Sequence, residues 1–249
     1  MLDIDHLSYS SISKYLACPA SWKYKYIDNL PTKSSPALVF GSAFHNTVEA
    51  YICDRDNIEL QAQWMKEWNI QVERNEDCDW GLDTPEKFYN DGLRMLANSD
   101  VLKLINELMP KNVERKVTLH LPGVDVPIIG FIDIITEDGI PGDFKTSGKS
   151  WSNSRAVNEL QPLFYLAALN QAGVRVPDWR FRHYIFVKTK TPKVQKIETV
   201  YTLNDIMFMI KVVGSVVDAM IKGAYPENPT TWLCSAKYCD FWSSCRGKS

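Results

Sequence analysis

No stretch of the 249-residue chain approaches the roughly 20 consecutive apolar residues that a membrane-spanning helix needs. The opening, MLDIDHLSYSSISKYLACP, has no basic segment followed by an apolar run, so no secretory signal is expected. Internal repeats and low-complexity tracts are missing. So is a Gly-x-x-x-x-Gly-Lys-Thr loop, so no helicase-like segment is expected. Neither sign of charge dominates: 28 Lys and Arg stand against 30 Asp and Glu. These absences exclude membrane and secreted classes and make a cytoplasmic location the expectation. With 45% hydrophobic, 12% aromatic and 23% charged residues, disorder, coiled coil and collagen-like repeats are excluded as well. The length is enough for one sizeable core.

The charge that is present is unevenly spread. Residues 54–91 carry eleven acidic and four basic side chains. Arg180, Arg182, Lys188, Lys190, Lys193 and Lys196 follow one another with no acid between them. An acidic lobe beside a basic face is compatible with local binding of a polyanion, and equally with an ordinary solvated hairpin. Six cysteines are also uneven: Cys234, Cys239 and Cys245 fall within twelve residues, while Cys18, Cys53 and Cys78 are scattered. Close clustering in a reducing compartment points to a metal rather than a disulfide.

Serines at 8, 10 and 11 suit the start of a helix through Ile12, Tyr15 and Leu16, and Pro19 ends it. A second short helix covers WKYKYID. After a loop over 31–36, Gly41 and Ser42 open a helix through Phe44, Val48 and Ile52. Helices are expected over 58–75 and 85–109, the latter with Pro85 in its first turn. Alternation then predicts three strands, VERKVTLHL, IIGFIDIIT and GIPGDFKT, the last two joined as a hairpin at Glu137–Asp138–Gly139. Helix over 155–172, strands RFRHYIFVKT and VQKIETVYT, helix over 203–222 and a loop-like tail from Tyr225 complete the chain. This order predicts an α/β fold: a central mixed β-sheet flanked by helices, with residues 54–109 as a helical lobe.

Chemistry concentrates around Gly130-Phe-Ile-Asp133 and Asp143-Phe144-Lys145. A hairpin can bring Asp133 and Asp143 together, and alternation places Lys145 on the same face as Asp143. Two close carboxylates repel unless a cation lies between them, and oxygen ligands select hard ions such as Mg²⁺ or Mn²⁺. A lysine beside them can orient or help deprotonate water, or neutralise charge on a phosphate. His45 follows Gly41 by one helical turn and precedes Glu49 by another, so a neutral imidazole is available as a ligand from outside the sheet. Gln161 and Tyr165, also one turn apart, can touch phosphates or a base edge.

Taken in order, Gly-x-x-x-His, Gly-x-x-Asp, Asp-x-Lys and Gln-x-x-x-Tyr resemble the RecB-like branch of the PD-(D/E)XK nuclease superfamily, and SYSSISKYLACPASWKYKY is similar to its opening. The tail Cys234-x4-Cys239-x5-Cys245, taken with Cys18, is similar to the subgroup with an iron–sulfur cluster. That subgroup includes the CRISPR-associated adaptation exonucleases, AddB-type nuclease domains and phage relatives. The resemblance implies a restriction-endonuclease-like nuclease core over 1–249. It implies metal ligation by His45, Asp133, Asp143 and the Phe144 carbonyl, Lys145 as the catalytic lysine, and Gln161 and Tyr165 as the motif after it. An acidic residue before the sheet is expected to assist, and Glu114 and Glu49 both qualify. Two departures stand out: Ile132 precedes Asp133 where the family name has proline, and Asp143 stands where Glu is commoner.

Four cysteine thiolates, Cys18, Cys234, Cys239 and Cys245, suit a [4Fe–4S] cluster or, alternatively, tetrahedral Zn²⁺. Such a centre would join the tail, residues 225–249, to the N-terminal helix. The expected function is metal-dependent hydrolysis of DNA phosphodiesters, most simply as an exonuclease on single strands or DNA ends. Its setting would be recombination, repair, phage DNA metabolism or CRISPR adaptation. The alternatives are an endonuclease or flap nuclease, and a cluster-stapled DNA-binding subunit of a larger recombination or adaptation complex.

Overall fold

The computed structural model describes residues 4–247. The chain enters through a two-residue strand, β1 (Leu7–Ser8), and turns directly into α1 (Tyr9–Ala17). Ser8 makes that turn: its hydroxyl accepts the N–H of Ser11, while the Ser11 hydroxyl accepts the N–H of Ser8. Two orphan donors at the helix start are thereby satisfied reciprocally. After α2 (Pro19–Tyr26), the helix expected from Gly41 begins earlier, as α3 (Pro36–Cys53). Ser35 caps it and Pro36, which has no N–H to lose, occupies the first turn.

Among the described residues six strands form one sheet: β1, β2 (Pro110–Leu119), β3 (Ile128–Thr136), β4 (Pro141–Ser147), β5 (Arg180–Val187) and β6 (Lys193–Val200). β2 and β3 pair antiparallel along almost their whole length. The β3–β4 hairpin closes through a turn in which Gly139, at φ 80°, supplies the left-handed residue. β4 pairs parallel with β5, the crossover carrying α7 (Asn153–Val157) and α8 (Gln161–Gln171), and β6 returns antiparallel beside β5. The mixed sheet with helices on both faces is the architecture of the restriction-endonuclease-like fold.

β3 has an unusual edge. Ile128 and Ile129 pair with β1, and Ile134 and Ile135 pair with β4, while all four also pair with β2 on the other side. β1 and β4 therefore share one edge of β3, and residues 130–133 between them form an open fork. Side-chain facing also switches there. Ile128 and Ile132 belong to one core and Ile134 to the other, although alternation would put all three on the same face. Glu114, across the ladder from Asp133, holds a left-handed φ of 44°.

Two apolar layers sandwich the sheet. On one face α1, α8 and α9 (Leu203–Ile221) bury Ile12, Leu163, Leu166, Met209 and Val213 against Ile132 and Phe181. On the other, α3 packs with α4 (Leu60–Arg74), α5 (Pro85–Leu96) and α6 (Ser99–Glu107) over Ile134, Phe144, Tyr184 and Phe186. The single helix expected over 85–109 breaks because the Asn98 side chain accepts the N–H groups of Asp100 and Val101 and starts α6. The helix expected over 155–172 likewise divides, with Pro162 in the first turn of α8. Among the described residues no helix is long and apolar enough to cross a membrane.

The ends of the chain meet. Tyr15 donates to the carbonyl of Ala224, Asn228 Nδ2 donates to the carbonyl of Ala17 at 2.9 Å, and Trp22 stacks on Tyr225 at 5.8 Å. A short helix, α10 (Trp242–Arg246), stands in the tail where a loop is expected from the sequence.

Arg182 on β5 ties the hairpin turn to β6. Its guanidinium donates to Asp138, Thr136 and Glu198 over 2.7–3.0 Å, and its own surface is 9% exposed. The hydrogen bond from Arg182 holds the Asp138 carboxyl down at about 2. Because that value lies below the unfolded one of about 3.9, the stabilisation is complete above roughly pH 4 and fades as pH falls towards 2. Arg182→Met should cost about 1–3 kcal/mol at pH 7, a figure tempered by the half-exposed Asp138. Urea melts should show that deficit shrinking at pH 2.5, and an equal deficit at both pH values would refute Asp138 as the partner.

Candidate active site

The open fork of β3 is where the sequence-predicted residues converge. Beyond Ile134 the hairpin strands diverge, and the Phe144 N–H donates to Asp133 Oδ2 at 2.6 Å instead of to a β3 carbonyl. Phe144 buries its ring in the α3 layer, which turns Asp143 and Lys145 to the opposite face, towards α8. Lys145 Nζ lies 2.8 and 2.6 Å from the two oxygens of Asp143 and donates to Gln161 Oε1 at 2.9 Å. Gln161 Nε2 donates to the Tyr165 hydroxyl at 2.9 Å, and that hydroxyl donates to the Phe131 carbonyl. A continuous chain of hydrogen bonds thus runs from Asp143 through Lys145, Gln161 and Tyr165 back to β3. Gly130 makes the last contact possible: a Cβ there would stand 2.7 Å from the ring of Phe164 and 2.8 Å from that of Tyr165.

From the other side α3 brings His45 and Glu49. His45 Nδ1 is 4.0 Å from Asp133 Oδ2, and its Nε2 is buried with no hydrogen-bond partner. Burial lowers its pKa to about 4, so the imidazole is neutral and carries a free lone pair. Glu49 is pushed up to about 8 by burial and by the neighbouring carboxylates of Glu114 and Asp133. Glu49 and Glu114 therefore both stand beside Asp133, where the sequence offered them as alternatives.

Asp133 and Asp143 are each raised to about 6, chiefly by burial, against the pull of Lys145. Burial also opposes the charge of Lys145, but Asp143 and Asp133 overcome it and hold its pKa above the usual value. Lys145 is therefore an ammonium donor. Four acidic side chains with one cation nearby form a site short of positive charge. Among the described residues, no group of three or more His, Cys, Asp or Glu side chains is arranged to hold a metal ion as it stands. The donor set nonetheless fits a hard divalent ion: carboxylate oxygens in excess, and a buried imidazole nitrogen that nothing else satisfies.

Three neighbours escaped the sequence analysis. Tyr9 donates to Glu159 at 3.3 Å; burial, Glu159 and Asp143 raise its pKa to about 12. Glu159 also lies close enough to Lys145 to favour its charge. His183 sits beside Asp143 in the β4–β5 register, buried between Phe181 and Trp151, and burial, with Lys145, lowers it to about 4. Tyr9 belongs to the serine-rich opening and Glu159 stands two residues before Gln161, but nothing in their spacing marks them.

The basic stretch is largely engaged elsewhere. Arg180 pairs with Asp178 and Glu198, and Arg182 with Asp138 and Glu198. Lys188 lies 4.3 and 4.0 Å from the ring centres of Phe40 and Phe88, with Asp91 at 4.0 Å. Lys190, Lys193 and Lys196 remain exposed.

At the joined ends of the chain, Cys18, Cys234, Cys239 and Cys245 all line one cavity of about 360 Å³, together with Lys14 and Phe241. Burial raises the Cys239 and Cys245 thiols. Cys78 is buried in the α3–α6 layer and Cys53 is exposed, both away from this cavity.

A candidate exonuclease from Eubacterium rectale is similar in structure, with a TM-score of 0.62 and 12% identity over 98% of this chain and 90% of that one. SSO0001 aligns over 96% of this chain and 97% of its own, with 13% identity and a TM-score of 0.38. At such identities the first likeness speaks to the fold, and no curated protein matches the chain. The model of the PD-(D/E)XK nuclease superfamily matches residues 6–246, nearly the whole length that carries the fork and its acids, and the chain belongs to that superfamily.

Proposed function

We propose that the chain is a metal-dependent deoxyribonuclease, acting as an exonuclease on single-stranded DNA or DNA ends. The observation that carries this reading is the convergence of Asp133, Asp143 and Lys145 at the open fork of β3, with the free imidazole of His45 opposite. In this reading His45, Asp133, Asp143 and the Phe144 carbonyl hold Mg²⁺ or Mn²⁺, with Glu114 and Glu49 as nearby acids. The ion supplies the Lewis acidity that activates water and neutralises charge on the phosphate. Hydrolysis adds the water oxygen to phosphorus and releases an alcohol. Lys145, held as an ammonium, stabilises the negative charge that gathers on the phosphate oxygens. Gln161 and Tyr165 fix the position of that ammonium, and Gln161 is placed to touch the strand.

The same reading gives the four cysteines a [4Fe–4S] cluster, with Zn²⁺ as the alternative occupant. Support comes from their gathering around one cavity, although Cys18 and Cys234 are 216 positions apart in the chain. The role of such a centre is to tie the tail to α1 and α2, away from the acidic site.

Two expected outcomes follow from this assignment. Asp133→Ala, Asp143→Ala or Lys145→Ala should each lower cleavage of end-labelled DNA by at least about 100-fold, since each removes charge stabilisation worth several kcal/mol in a dry site. Circular dichroism should stay native for Asp143→Ala and Lys145→Ala, while Asp133→Ala also frees the Phe144 N–H and should lower stability. Near-normal degradation by Asp143→Ala would remove the site. Separately, anaerobically purified protein should be brown and carry about four iron atoms per chain. Cys18→Ala should lose both iron and thermal stability. Colourless protein with one zinc would replace the cluster and leave the nuclease reading intact.

A further inference from the structure

Phe131 is an aromatic side chain without cover, 53% exposed, in the middle of a strand that is otherwise largely buried. Because Ile132 is buried in the α8 layer, alternation turns its neighbour Phe131 to the other side of β3, two residues before Asp133. Opposite Phe131 in the β2 register stands Lys116, also exposed, and among the described residues it makes no salt bridge. An exposed ring and a free ammonium therefore sit side by side on neighbouring strands, two residues before Asp133.

The backbone beneath that ring is fixed to the catalytic machinery. The Phe131 carbonyl is the terminus of the hydrogen-bond chain that begins at Asp143 and passes through Lys145, Gln161 and Tyr165. The backbone that carries Phe131 is thereby tied to the position of Lys145.

Resting on the nuclease reading above, we infer that Phe131 is a stacking platform for an unpaired base of the substrate strand next to the scissile phosphate, with Lys116 holding the adjoining phosphate. Every base presents a π-face, so such a platform grips single strands without regard to sequence. A base inside a duplex already has both faces covered and gains nothing from it. The pair Phe131 and Lys116 thereby assigns the preference for unpaired ends to one place in the fold.

Binding to a single-stranded oligonucleotide containing 2-aminopurine, and to a duplex of the same sequence, would test this in an Asp143→Asn background that leaves the strand intact. Phe131→Ala should weaken single-strand binding by about 10- to 100-fold and remove the fluorescence quenching that stacking produces, with little change for the duplex. Phe131→Trp should retain both binding and quenching. Phe131→Leu, apolar but unable to stack, should behave like Ala. Lys116→Gln should flatten the dependence of log affinity on log salt by about 0.7 for one lost phosphate contact. Unchanged single-strand affinity and quenching in Phe131→Ala would overturn the platform while parental DNA binding still stood. Failure of the parent protein to bind any DNA would overturn the nuclease reading with it.

Discussion

The Asp133 carboxylate takes the N–H of Phe144 at the point where β3 and β4 cease to pair. A sheet that simply continued its ladder there would leave no opening between the two strands. By substituting a side-chain oxygen for a backbone carbonyl, the hairpin satisfies the buried donor and still diverges. The divergence opens the edge of β3, admits Tyr165 to the Phe131 carbonyl and turns Asp143 towards α8. The left-handed Glu114 belongs to the same distortion, since it lies across from Asp133 where side-chain facing switches. Strain of this kind, on a non-glycine residue beside clustered acids, is the sort that persists when the surrounding structure over-determines it.

Burial and charge then oppose one another at the fork. Asp133, Asp143 and Glu49 are all pushed towards their neutral forms, and Lys145 alone is held charged against its burial. Without a bound cation the cheapest relief is to take up protons. In the proposed function a divalent ion would offer a second relief that leaves the carboxylates ionised, and proton uptake and metal binding would then compete for the same oxygens.

The strands around the site were legible because alternation is clear over VERKVTLHL, IIGFIDIIT and the Gly139 turn, and the motif residues fell within them. The facing switch at Asp133 was not, because a left-handed glutamate leaves no local trace in sequence. β1, two residues long, is too short to show a period. Asn98 and Pro162 broke two helices at polar or imino positions inside otherwise apolar patterns. Tyr9, Glu159 and His183 reach the site only through tertiary packing. The basic stretch looked free because its partners, Asp138, Glu198 and Asp91, come from other strands and helices.

The meeting of the two chain ends sets an order of events during synthesis. α1 and α2 emerge long before the segment that covers them: Trp22, Tyr15 and the Ala17 carbonyl find their partners only when residues 224–228 arrive. Until then the emerging chain presents an aromatic surface with nothing to cover it, and contacts of such sequence separation form slowly. During synthesis α1 and α2 therefore stay uncovered until residues 224–228 have emerged, exposed to holdase chaperones and to neighbouring nascent chains.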